Sequence, residues 1–160
     1  MSYIEFFTFD KDGYSYDEYM VRNAWQGAMA IWMILGNKYV GGVHMFSKES
    51  MKQVWNLVND EKVPMKERIV LCTTFDNCLI AKEDIPKVIE AFKAFDGNTN
   101  LQEQADVLED IYNDENCIAV GIHQNSSSCQ QWYNYNCLKQ NDHFYVSELW
   151  EKEDENKTDK

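Results

Sequence analysis

The residues with the clearest chemical content are a run of carboxylates in the second half of the chain. Glu103, Asp106 and Asp110 recur at i, i+3 and i+7, with Glu109, Asp114 and Glu115 beside them. On a helix, that spacing gathers carboxylates on one side. Like charges so placed cost a helix a few tenths of a kcal/mol each, about what a solvated face tolerates. The same arrangement suits a surface that meets Lys and Arg on another macromolecule, where it speeds encounter and imitates phosphate charge. Tyr112, Trp132, Tyr133 and Tyr135 lie close in sequence and are the residue types that anchor interfaces. These ten residues form the candidate partner-binding set.

Other chemistries find weaker support. Cys129, in a polar stretch, could act as a nucleophile with His123 or His143 as base and Asp142 as orienting group. Any chain of this size offers such a trio, so no catalytic residue is assigned. Cys117 and His123 are six apart, as are Cys137 and His143, and neither spacing is that of structural zinc. No H-E-x-x-H occurs, so no metal site is expected. Gly41-Gly42 is not a phosphate-cradling loop, and Arg22 and Arg68 are the two arginines present. No cofactor is expected, and no pair of carboxylates is singled out for glycosidase work.

The net charge of −12 supports the same reading. It disfavours direct contact with nucleic acid or anionic lipid and favours a basic protein partner. From Ala94 to Leu138 there is no Lys or Arg to offset the acids. The five cysteines are odd in number, form no CxxC and follow no basic, then apolar, leader. Free thiols in a cytoplasmic setting are expected. The apolar run Ala28 to Leu35 falls far short of the ~20 residues needed to span a bilayer.

The elements that must position these groups follow from periodicity. Tyr3 to Phe9 reads as a strand, and Asp10 to Gly13 as a turn. Ser15 and Glu18 look like a capping box opening a long helix, with Tyr16, Met20, Ala24, Ala28, Ile31 and Leu35 as its stripe and Trp25 and Trp32 on a second face. Tyr39 to Phe46 is a weak strand candidate. Ser47 caps a second helix running to Asp60. Arg68 to Phe75 and Cys78 to Ala81 read as a hairpin about Asp76-Asn77. A third helix runs from Ile85 to Phe95. A fourth carries the acids on a stripe of Leu101, Ala105, Leu108 and Ile111, with Asn100 and Glu103 as a capping pair. Cys117 to His123, Gln131 to Asn136 and His143 to Leu149 read as strands.

The expected fold is therefore α+β: a mainly antiparallel sheet of about six strands packed against about four helices, in a single domain over residues 1–150. Residues 151–160 are charged and lack apolar side chains, which suits a disordered tail. Small, acidic, aromatic-rich α+β proteins without catalytic motifs are often inhibitors. The leading expectation is an immunity protein that neutralises a basic toxin or nuclease by occluding its active or substrate-binding surface. The alternatives are a small enzyme at Cys129/His123/His143 and a non-catalytic accessory protein of a mobile element or assembly.

Overall fold

The computed structural model describes residues 2–42, 47–124, 137–138 and 142–158, with side chains as far as Asp154. Its first unit is a hairpin. β1 (Tyr3–Phe9) pairs antiparallel with β2 (Ser15–Arg22). The turn is built by Asp10, whose carboxylate accepts from the N–H groups of Asp12 (2.9 Å) and Tyr14 (3.0 Å), and by Gly13 at φ 84°. A side chain disfavours that left-handed conformation, and glycine adopts it freely.

This hairpin corrects the long first helix. Residues 15–22 show helical spacing at Tyr16 and Met20, but they also place Asp17, Tyr19 and Val21 at a period of two. The adjacent β1 offers them a partner, and pairing wins over local propensity. Helix α1 (Ala28–Tyr39) begins only after a turn in which Ala24 and Trp25 both have positive φ. Trp25 thus lies outside the helix. Trp32 lies within it, packed against Trp55 and Phe75, with its indole N–H donating to Thr74 Oγ1 at 2.8 Å.

Helix α2 (Lys48–Asn56) starts at Ser47, whose hydroxyl accepts from the Ser50 N–H, as the sequence predicts. Helix α3 (Met65–Cys72) replaces the expected strand at 68–75. Arg68, Ile69, Val70, Leu71 and Cys72 are all buried, because α3 is packed on several sides, including by α1. A continuous apolar run of that length reads the same in a buried strand and a buried helix. Pro64 at its start sets the entry.

β3 (Cys78–Ala81) leads into α4 (Ile85–Ala94), then α5 (Leu101–Tyr112), β4 (Ala119–His123), β5 (Phe144–Tyr145) and α6 (Glu148–Thr158). The sheet order is β2-β1-β4-β3-β5. All neighbours are antiparallel except β3 and β5, which are parallel. The fold is α+β, with one open mixed sheet of five strands and six helices among the described residues. The strand expected at Gln131 to Asn136 lies outside them. The charged run expected as a tail is helical through Thr158. Leu149 and Trp150 pack this helix on the core, Lys87 sits 4.2 Å above the Trp150 ring, and Glu153 lies 3.9 Å from the buried Arg68 guanidinium.

The sheet has two unlike faces. Ile4 and Phe6 of β1, Val21 of β2, and Val120 and Ile122 of β4 face the helices and join the main core. Phe7 and Phe9 face the other way, against Leu79, Leu138 and Tyr145. Burying each such side chain contributes roughly 1.5–3 kcal/mol. β2 lies at one end of the sheet, where the helix side is lined by α5.

Candidate functional site

The acidic residues are displayed because α5 is amphipathic. Leu101, Ala105, Leu108 and Ile111 are buried, chiefly against α4. Glu103, Asp106, Glu109 and Asp110 are exposed away from that stripe; Tyr112 at the end of the helix and Glu115 just beyond it are exposed as well. Among the described residues, none of these five carboxylates has a Lys or Arg partner within ion-pair distance. Asp106 accepts from the Gln102 amide at 3.3 Å. Glu109 and Asp110 sit near the helix C-terminus, where the macrodipole is negative and carboxylates are unfavourable.

Asp114 is different. Tyr16 of β2 donates its hydroxyl to the Asp114 carboxylate, which also accepts from the Asn116 N–H at 2.9 Å. Those bonds, with Lys82 nearby, hold Asp114 below the usual carboxylate range. Burial, then the bond to Asp114, push the Tyr16 phenol up. Asp114 therefore fastens α5 to β2, which occupies one of its acceptors. The register shift between Thr8 and Phe9 is what brings Tyr16 to this side of the sheet.

The other end of α5 is fastened as well. The expected cap residue Asn100 uses its side chain differently: it donates to the carbonyls of Arg22 (2.9 Å) and Asn23 and accepts from Gln104 at 2.7 Å. With both ends tied to β2, α5 runs beside the edge strand and its acids continue onto it. Tyr19 records their convergence: burial first, then Asp17, Asp114 and Asp110, push its phenol up. Asp17, Tyr16 and Tyr19 thus join the surface. Sequence reasoning missed all three, and the period-two pattern of residues 17, 19 and 21 was the signal available.

The opposite face of the same hairpin holds a second group. Register places Glu5 beside His123, and His123 Nδ1 lies 3.0 Å from Glu5 Oε1. Both residues are buried. Glu18, diagonal to Glu5 on β2, shares a side-chain hydrogen bond with it. That bond, then partial burial and the charge of Glu5, push the Glu18 carboxyl from 4.5 up to about 7. Two carboxyls this close favour holding one proton between them. His123 Nε2 is buried and has no hydrogen-bond partner among the described residues.

The remaining sequence candidates separate. His143 packs edge-on against Tyr145, on the β5 side of the sheet, whereas His123 is sealed beside Glu5 on β4. Cys129, Trp132, Tyr133 and Tyr135 lie outside the described residues. Cys72, Cys78, Cys117 and Cys137 are buried and outside any disulfide. Burial, then the neighbouring Cys72, hold the Cys78 thiol well above its usual range. Among the described residues, no group of three or more His, Cys, Asp or Glu side chains is arranged to hold a metal ion, and no helix is long and apolar enough to cross a membrane.

No protein-family model, curated protein or solved structure matches this chain.

Proposed function

We propose that this protein is a binding module that inhibits a basic protein, in the manner of an immunity protein that covers the active or substrate-binding surface of a toxin or nuclease. The observation that carries the reading is the outward carboxylate surface of α5, unpaired with any described Lys or Arg and continuous with Asp17 on β2. A net charge of −12 gives that surface a long-range field that attracts a cationic partner. Tyr112 at 42% and Tyr16 at 40% exposure supply amphipathic rings beside the charges. Encounter is steered by the acids, and the aromatic rings supply the short-range contact.

The test begins with capture of the partner from the host by the full chain, followed by its association kinetics with the purified protein. The on-rate is expected to fall steeply as salt rises. Asp106→Asn with Asp110→Asn is expected to lower that rate by about tenfold while changing dissociation little. A partner whose on-rate ignored both salt and the substitutions would refute the electrostatic reading.

A further inference from the structure

Away from the α5 surface, two thiols meet in the core. Cys72 closes α3 and Cys78 opens β3. They are 6 positions apart in the chain, and their Sγ atoms lie 3.7 Å from each other. Each is only 1% exposed. The burial is shallow, because Asn77, next to Cys78, is exposed and Asp76 is half-buried. Cys117 is placed differently, with its thiol donating to the Ala119 carbonyl at 3.2 Å.

The turn between the two cysteines holds their sulfurs together. The Phe75 N–H donates to the Cys72 carbonyl at 3.1 Å, and the Cys78 N–H donates to the Phe75 carbonyl at 3.0 Å. Two tight turns in succession thus fold residues 72–78 back on themselves. The same turn is fixed by four other elements. Thr74 Oγ1 accepts from the Trp32 indole of α1 at 2.8 Å, and the Phe75 ring stacks on Trp55 of α2 with centroids 3.6 Å apart. The Thr73 carbonyl accepts from the Gln124 amide just beyond β4 at 2.8 Å, and the Asn77 carbonyl accepts from the Phe144 N–H of β5 at 3.1 Å. The meeting of the sulfurs is imposed from several sides.

That placement suits one kind of chemistry. A disulfide holds its sulfurs about 2.05 Å apart. Closing the gap from 3.7 Å moves each sulfur by about 0.8 Å, which small side-chain rotations supply. The Cys78 thiol is held protonated by burial and by Cys72, and a protonated thiol is a poor nucleophile. The pair therefore stays reduced until the turn opens. Once either sulfur is oxidised, the other is already in contact, so the second step is intramolecular and outruns further oxidation.

We propose that Cys72 and Cys78 form a site of reversible oxidation, at which a peroxide converts the thiol pair to a disulfide that locks the turn at residues 73–77. In the first step the sulfur of one cysteine attacks a peroxide oxygen. An S–O bond forms, the O–O bond breaks, the departing hydroxide takes the thiol proton as water, and a sulfenic acid remains. In the second step the other sulfur attacks the oxidised one. The S–S bond forms, the S–O bond breaks, and the leaving oxygen takes the second thiol proton as water. The two thiols lose two electrons in all, and one peroxide is reduced to two waters. Peroxide is little larger than water, so it needs a smaller opening of the turn than an alkylating reagent does. The new bond crosses the junction of α1, α2, β4 and β5, and a thiol reductant undoes it by exchange. The site is independent of the α5 surface and of the partner that surface meets.

The experiment treats the native full chain with hydrogen peroxide, quenches it, alkylates it in denaturant and maps its peptides without reduction. A Cys72–Cys78 link is expected, about 2 Da lighter than the two thiols and restored to them by dithiothreitol. Hydrogen exchange across residues 73–77 is expected to slow at least about tenfold in the oxidised protein. Cys72→Ser and Cys78→Ser each leave one thiol without its neighbour, so that thiol is expected to proceed to sulfinic acid, which the unaltered pair avoids. Should either serine variant fail to fold, the unaltered chain still decides. Sulfinic acid at Cys72 or Cys78 of the unaltered chain overturns the proposal. So does a pair that stays reduced under prolonged peroxide, a link from either residue to another cysteine, or a Cys72–Cys78 link that forms only in urea. A link that leaves exchange at 73–77 unchanged refutes the lock.

Discussion

Replacing Glu18 with glutamine tests whether two carboxyls share a proton across β1 and β2. In the folded protein the Glu18 carboxyl is pushed from 4.5 up to about 7, first by its hydrogen bond to Glu5 and then by partial burial and the charge of Glu5. The folded state therefore keeps a proton that the unfolded state releases. The stability this contributes is complete below about pH 4.5 and is lost as pH rises through about 7. At about 1.36 kcal/mol per pH unit the whole displacement would be roughly 3 kcal/mol. Glu18 is exposed, however, so solvent screens the pair and the side chain can turn away; about 1 kcal/mol is the realistic loss. The substituted amide would offer Glu5 an N–H donor at every pH and would not titrate. Asp76 and Asp84, both pushed up chiefly by burial, titrate in both proteins and cancel in the difference. Urea unfolding of the two proteins from pH 5 to 8 should give similar stabilities at pH 5 and an advantage of about 1 kcal/mol for Glu18→Gln at pH 8. Parallel curves across that range, or a Glu18 carboxyl signal titrating near 4.5 in carbon-13 NMR, would refute the shared proton.

The remaining predictions concern the acids, the thiols and one turn. Asp110→Asn relieves an unfavourable charge near the C-terminus of α5 and should raise stability by about 0.3–1 kcal/mol in denaturant melts, even as it slows association with the basic partner. Cys72, Cys78, Cys117 and Cys137 should resist an aqueous thiol reagent in the native protein and react on unfolding, as mass spectrometry of labelled peptides would show. Gly97 has φ 142°, and a Cβ there would lie 2.5 Å from Ile34 Cδ1. Gly97→Ala should therefore cost about 2–3 kcal/mol, mostly backbone strain. Adding Ile34→Val should recover only the smaller part due to the displaced side chain, about 0.5–1.5 kcal/mol.

What the sequence made legible was local. α2, α4 and α5 fall where their apolar stripes put them, α2 also where its Ser47 cap does, because each buries one face and leaves the other wet, so period 3.6 survives in the residue pattern. β3 and β4 were also legible, as short β-rich runs. The failures occur where a neighbour far along the chain decides. Residues 15–22 carry helical and strand spacings at once, and the choice between them is made by pairing with β1. Residues 68–72 carry no period because packing surrounds them. Residues 151–158 look like a tail until Leu149 and Trp150 anchor the first turn of α6 and Arg68 reaches Glu153.

The site was legible to the same degree and for the same reason. The α5 acids could be named because a helix with one buried stripe must expose the rest. Their extension onto β2 could not, because it depends on the hairpin register, on a bulge that re-aims Tyr16, and on Asn100 acting as a tie to β2. The consequence is physical as well as historical. An acidic helix alone gives attraction without a register, since charges act at a distance and tolerate many poses. Tyr16–Asp114 at one end and Asn100–Arg22 at the other hold the α5 acids in a fixed position relative to Asp17 of β2, which is the rigidity the proposed binding role calls for. Loosening either tie, by Tyr16→Phe or Asn100→Ala, should therefore slow association with the proposed basic partner, because the acids no longer act as one fixed surface.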